Sequence, residues 1–369
     1  VTDLPQQSRL YASDGTTQIG TFYAQNRIVV PLKKISKPMR QAVVSREDRR
    51  FFRHAGVDIQ GVMRAFVATY VKKGATQGGS SLTQQYVKNV LLLQAQEDND
   101  PIAEYHASEE TVARKLREML IAVQMEKTYS KLEILQGYLN IAQFGRGIYG
   151  VEMAARRYFS TTADKLDIVQ AATIAAITKN PAAFDPSVES NQKASQRERN
   201  IVLDLMYQEE YISQKQRDEA KAKPLKDTLK LQDAQAGCSA SGDAAFFCDY
   251  VTKKILNSKE FGKTIEERKK LLYEGGLDIY TTMDVNANSA AMKAARAAIP
   301  ADDASKMEVM MAAIKPGTGE VLGFGINKIY DTSPEANNDP ARTAMNFAVD
   351  QIDGGGSGFP VGSTWKPIN

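Results

Sequence analysis

Histidine, cysteine and tryptophan are nearly missing from these 369 residues, which contain two, two and one of them. Two histidines (His54, His106) and two cysteines (Cys238, Cys248) are too few for a structural zinc cage. The same scarcity leaves a Ser-His-Asp hydrolase only two candidates for its base, and no nucleophile-elbow motif accompanies either. No apolar run approaches a membrane span, and the opening VTDLPQQSRL lacks the basic-then-apolar order of a signal peptide. The expectation is that an N-terminal anchor is absent from this chain. Neither sign of charge is in large excess: the net charge is +3 and the pI near 8.6. That mild basicity suits an anionic surface or a phosphate ligand but falls short of a nucleic-acid footprint, so no nucleic-acid partner is expected.

What is present is enough for more than one core. With 43% hydrophobic and 25% charged residues, the chain exceeds one typical domain. Near its start, Asp14-Gly15 sits between two β-rich runs in RLYASDGTTQIGTFY, a hairpin signal. From about Ile35 to Met206 the pattern predicts almost continuous helix, with apolar residues at three- and four-residue spacing, as in Val112, Leu116, Met119, Leu120 and Val123. Residues 213–230 are polar and lysine-rich. They lead through GCSASGDAAFFCDY to a charged helical segment from Asn257 to Tyr273. Cys238 and Cys248 could close a small loop or stand as two reduced thiols; composition leaves both open. Beyond Gly275, GGLDIYTTMD alternates like a strand, Val285 to Ala298 reads as a helix, and VMMAAIKPGTGEVLGFG reads as two strands around a Pro-Gly turn. No internal repeat is visible.

Four stretches carry chemistry. In EDRRFFRHAG, a helix through Met39 and Val43 extends in steps of four to Glu47 and Phe51, which puts an acid in line with an apolar row. Taken alone, Glu47 could equally cap the helix or pair with Arg49, Arg50 or Arg53. In GGSSLTQQYVKN, Ser81 and Gln84 fit a capping box, which leaves Ser80, Thr83, Gln85, Lys88 and Asn89 unexplained. Ser81, Gln84 or Gln85, and Lys88 share a face suited to sugar and phosphate, near helix N-terminal amides. In ARKLREMLIAVQMEK, Arg114 and Glu118 lie one turn apart on the side away from the apolar stripe, where a solvated ion pair is the plain account. KLEILQGYLNIAQFGRGIYGVEMAARRYF predicts a helix to Asn140, a glycine-bearing loop, and a helix from about Gly150.

In this order the four stretches resemble the motifs of the peptidoglycan glycosyltransferase domain of class A penicillin-binding proteins, and QAATIAAITKNPAAFDP resembles a fifth. The resemblance covers about half of the chain. Departures are Ser81 where threonine is usual, Gln170 for glutamate, Phe184 for tyrosine, and the long insert QAQEDNDPIAEYHASEE. At the other end, Ser363 and Lys366 in VGSTWKPIN fit the Ser-x-x-Lys motif of penicillin-binding transpeptidases. The later Ser-x-Asn and Lys-Thr-Gly elements do not occur, so this chain would hold an incomplete transpeptidase.

The resemblance implies an α+β multidomain chain. Its parts are a β-hairpin segment over 1–34 joining the pedestal, an α-rich lysozyme-like glycosyltransferase domain over 35–210, a linker or pedestal with the cysteine loop over 211–290, and the start of an α/β serine transpeptidase over 291–369. It implies polymerisation of lipid II, with Glu47 as general base on the 4-hydroxyl of the acceptor sugar, inversion at the donor, and departure of undecaprenyl pyrophosphate. Glu118 is implied as a second catalytic residue that orients the acceptor and nearby cations and need not act as an acid, and Ser363 and Lys366 are the implied transpeptidase pair. The implied substrate-binding set is Ser80, Ser81, Thr83, Gln84, Gln85, Lys88, Asn89, Arg114, Lys115 and Asn140. A divalent cation (Mg or Mn) in the glycosyltransferase site is the one cofactor implied.

The implied partners are lipid II and the growing glycan, a membrane surface, and β-lactams at the completed transpeptidase site. The implied place is the extracytoplasmic face of a bacterial membrane, where a Cys238–Cys248 disulfide would form. The apolar residues of VMRAFVATYV, Val62 to Val71, are then either core or a membrane-facing edge. Two other readings remain: a lytic transglycosylase and a catalytically silent wall-binding scaffold.

Overall fold

The computed structural model describes residues 4–61, 79–232 and 236–358. Its contacts divide the chain into two compact units, residues 25–232 and residues 4–24 with 236–358. Ser363, Lys366 and the Val62–Val71 stretch lie outside the described residues.

The first unit is helical: α1 (Lys37–Glu47), α2 (Leu82–Glu97), α3 (Pro101–Ser108), α4 (Val112–Thr128), α5 (Lys131–Ile141), α6 (Val151–Phe159), α7 (Ile168–Ile177), α8 (Gln192–Gln208) and α9 (Gln214–Ala222). The almost continuous helix expected from Ile35 to Met206 is broken where side chains stop it. Ser81/Gln84, Ser130/Glu133, Asp167/Gln170 and Ser213/Gln216 each form a reciprocal capping box, which satisfies two end groups of a helix and contributes about 1 kcal/mol. The insert that separates the second and third motifs becomes the end of α2 and all of α3. Pro101 opens α3, and Asp100 Oδ1 accepts the amides of Ile102 and Ala103 at 3.0 Å each. α7 is apolar all round and buried from Ala171 to Ile177, the pattern of a central helix, with α1 and α8 packed on it.

The second unit opens on the hairpin signalled by Asp14-Gly15. β1 (Ser8–Tyr11) and β2 (Gln18–Phe22) pair antiparallel, Ser8 opposite Phe22, and β3 (Asp278–Tyr280) adds parallel to β1. Gly15 takes φ +69°, and Asp14 Oδ1 accepts the amides of Thr16 and Thr17 at 2.9 and 2.8 Å. Led by the Thr17 hydroxyl, these bonds hold the Asp14 carboxyl down at about 2. β4 (Met310–Ile314) and β5 (Val321–Ile326) flank the Pro316-Gly317 turn as expected. The charged segment from Asn257 to Tyr273 is two pieces, not one helix: α10 (Ala245–Asn257) ends, Gly262 turns the chain, and Thr264 caps α11 (Ile265–Glu274). α12 (Val285–Ala298) packs on β5.

Cys238 and Cys248 are disulfide-bonded, Cα to Cα 5.5 Å, within an apolar core of Leu10, Phe22, Phe246, Phe247, Met292 and Phe324. Closing so short a loop stabilises by about 3 kcal/mol in the chain-entropy picture.

Candidate active site

Glu47 is the last residue of α1, which stops there and does not run on to Phe51. Met39 and Val43 on the same row are fully buried, and Glu47 is half-buried at the helix end. Its two oxygens accept from two neutral donors: the Thr178 hydroxyl on Oε1, and Gln85 Nε2 on Oε2 at 2.6 Å. Behind Gln85, the Tyr138 O–H donates to its Oε1 over a long 3.4 Å. Burial, and after it the Glu47 carboxylate, push the Tyr138 phenol well above its usual value, so it remains a donor. Gly137 permits this approach of α5 to α2, since a Cβ there would meet the Tyr86 ring at 2.4 Å.

Asp48 caps α1 and is buried. Its Oδ2 accepts the Leu82 amide at 3.0 Å and lies 2.8 Å from His54 Nε2. The loop that follows returns to α2 and α4. Gly56, at φ +80°, has no room for a Cβ against the Ala122–Val123 backbone, and its carbonyl accepts the Ser81 hydroxyl at 2.5 Å.

A second acid system lies along the same helix. Gln85 and Lys88 are three residues apart on α2 and so share a face. Lys88 is half-buried, and its ammonium is held below its usual value by burial first and then by Arg114. On α4, Glu118 is 1% exposed and Arg114 7%. Arg114 Nη1 donates to Glu118 Oε1, and Lys115 Nζ donates to Glu118 Oε2 at 3.1 Å and to Ser80 Oγ at 2.9 Å. The expectation of a solvated Arg114–Glu118 pair on the far side of an apolar stripe is inverted. The pair is buried, while Val112, Leu116, Leu120 and Val123 face outward at 76%, 56%, 73% and 37%.

The expected site residues therefore separate. Glu47 and Gln85 come together, as do Ser80, Arg114, Lys115 and Glu118. Lys88 feels the charges of that second group, and Asn89 is half-buried next to it in sequence. Ser81, Thr83 and Gln84 are buried and bonded within the protein: the first and last form the cap of α2, and the Thr83 hydroxyl donates to Glu126. Asn140 stands elsewhere, 2% exposed, donating to Val30 and Gln136 carbonyls at 2.9 Å each and accepting the Val30 amide at 2.9 Å. These four are buried and bonded to protein groups, except that Gln84 Nε2 has no partner among the described residues. Thr178, Tyr138 and Asp48 were not singled out in the sequence. Each follows or sits within a quoted motif, and only the fold brings them to the acid or to α2.

Among the described residues no three His, Cys, Asp or Glu side chains gather as a metal cage. Both Glu118 oxygens accept from cations, Arg114 and Lys115.

The transglycosylase family model matches residues 15–207. Penicillin-binding protein 2D of Bacillus subtilis (strain 168) is 33% identical over 92% of this chain and 46% of its own. Penicillin-binding protein 1A of Aquifex aeolicus (strain VF5) is 35% identical over 78% of this chain and 35% of its own. Penicillin-binding protein 1A of Mycolicibacterium smegmatis (strain ATCC 700084 / mc(2)155) is 31% identical over 98% and 41%. The chain thus spans less than half the length of these curated relatives. With more than half of its residues in the family match, the chain belongs to the transglycosylase family carried by class A penicillin-binding proteins.

Proposed function

We propose that this chain polymerises lipid II by inverting glycosyl transfer, with Glu47 as general base. The observation that carries this reading is the asymmetry of the two acids. Among the described residues Glu47 accepts from neutral donors, the Thr178 hydroxyl and the Gln85 amide, whereas Glu118 is held between the cations Arg114 and Lys115.

Glu47 takes the proton of the acceptor 4-hydroxyl while that oxygen attacks the anomeric carbon of the lipid-linked donor. The bond from that carbon to pyrophosphate breaks, and the leaving group departs as an anion with the electron pair. Lys88, Arg114 and Lys115 offset its charge, and Glu118 holds the last two in place. A hydrolase acting on a glycosidic bond instead needs a protonated acid to expel a sugar alkoxide; a pyrophosphate leaving group needs only positive charge.

The outward Leu116, Leu120 and Val123 of α4 suit a lipid surface beside a site whose substrate is a lipid. No described helix is long and apolar enough to cross a membrane. The disulfide suits the extracytoplasmic face of a bacterial membrane.

Incubation with lipid II tests the reading: long glycan product supports it, and cleavage of preformed glycan or binding without turnover replaces it with a lytic or a scaffold role. Ser363 and Lys366 belong in this proposal to a D,D-transpeptidase that acts only when its domain is complete. In a protein extended through that domain, Ser363 acylates with a β-lactam, and stoichiometric labelling that survives Ser363→Ala would refute the assignment.

A further inference from the structure

Thr178 stands one residue past α7, and its hydroxyl reaches two acceptors: Glu47 Oε1 and the carbonyl of Ala175, the latter at 2.8 Å. A hydroxyl has one proton to give and lone pairs to receive another, so it donates to only one of the two at a time. While Glu47 is ionised the carboxylate is the stronger acceptor, because charge-assisted hydrogen bonds are roughly twice as strong as neutral ones. Once Glu47 carries a proton, that oxygen becomes a donor and needs an acceptor. The Gln85 Nε2 on Oε2 can only donate. Thr178 can reverse, because turning its proton to the Ala175 carbonyl presents a lone pair to Glu47 without moving any heavy atom.

We propose that Thr178 is a positioning residue for Glu47 that serves both protonation states of the carboxyl, as donor before proton transfer and acceptor after it. The proton from the sugar then rests on Oε1, the oxygen that Thr178 faces. This rests on Glu47 being the general base. In the step, the acceptor O–H bond breaks and its proton passes to Glu47. The oxygen's electron pair forms the new bond to the anomeric carbon, and the pyrophosphate leaves with the pair of the broken bond. The frame around the pair is fixed from outside: Arg46 and Lys179, the neighbours of Glu47 and Thr178, both bind Glu198 of α8, at 2.8 and 3.1 Å.

The test is steady-state polymerisation of lipid II by the whole chain carrying Thr178→Val, Thr178→Ser or Glu47→Gln, with thermal melts of each. Thr178→Val, similar in shape but without the hydroxyl, lowers kcat about tenfold or more, the scale of one hydrogen bond to a charged group, with KM within about twofold. Thr178→Ser restores kcat to within about threefold of the parent. Should the valine variant melt early, Thr178→Ala is read in its place. Parental kcat without the hydroxyl, or a serine variant as slow as the valine one, overturns the proposal. If Glu47→Gln is dead while Thr178→Val is fully active, only this inference falls. If Glu47→Gln itself polymerises normally, the base assignment falls first.

Discussion

The carboxylate of Asp48 accepts the backbone N–H of Leu82 at 3.0 Å, which fastens the residue after Glu47 to the first turn of α2. Gln85, one turn further along α2, is then in place to donate to Glu47. Asp48→Ala leaves a buried amide without its acceptor and the His54 ring without its partner, at a cost of about 1 to 3 kcal/mol. Denaturant unfolding should show this loss, and lipid II turnover should fall with it as the Gln85–Glu47 bond loosens. An unchanged melt would mean that α2 starts without help from the first motif.

Lys88 gives the pH dependence. Burial and Arg114 hold its ammonium below the usual lysine value. For a base, a lowered value means that charge is lost earlier as pH rises, so the alkaline limb of kcat/KM should begin below the ordinary lysine range. Lys88→Arg, whose guanidinium stays charged, should move that limb to higher pH even if the rate at neutral pH falls. A limb that stays in place after the substitution would remove Lys88 from the leaving-group site.

How much of this was legible in the sequence differs by residue. The Asp14-Gly15 turn, the Ser81/Gln84 box and the Pro316-Gly317 hairpin are local, so short spacing was enough. The helix period of α4 was also legible, but a period does not say which face is inside. Buried Glu118 can be inward because Arg114 and Lys115 bond both of its oxygens, and the stripe of Leu116 and Leu120 is left outside. Thr178 and Tyr138 reach the Glu47 network across many residues of intervening chain, and no spacing rule encodes such a meeting. Asn140 illustrates the converse, a motif asparagine whose amide holds the Val30 backbone.

Glu118→Gln should reduce turnover severely and destabilise the helical unit, since it leaves Arg114 buried without its countercharge. Breaking a buried pair typically costs about 3 to 5 kcal/mol. Thermal unfolding and polymerisation rate measured on the same preparation check both halves. A normal rate with a normal melt would show the buried pair to be dispensable.

The central claim is that Glu47 takes the acceptor's proton. Glu47→Gln keeps the shape and both hydrogen-bond neighbours in reach but removes the base. Glycan chain length and lipid II binding, measured side by side on parent and variant, decide the matter. The account predicts no polymer from the variant with lipid II affinity largely retained; near-normal polymerisation by the variant would contradict it.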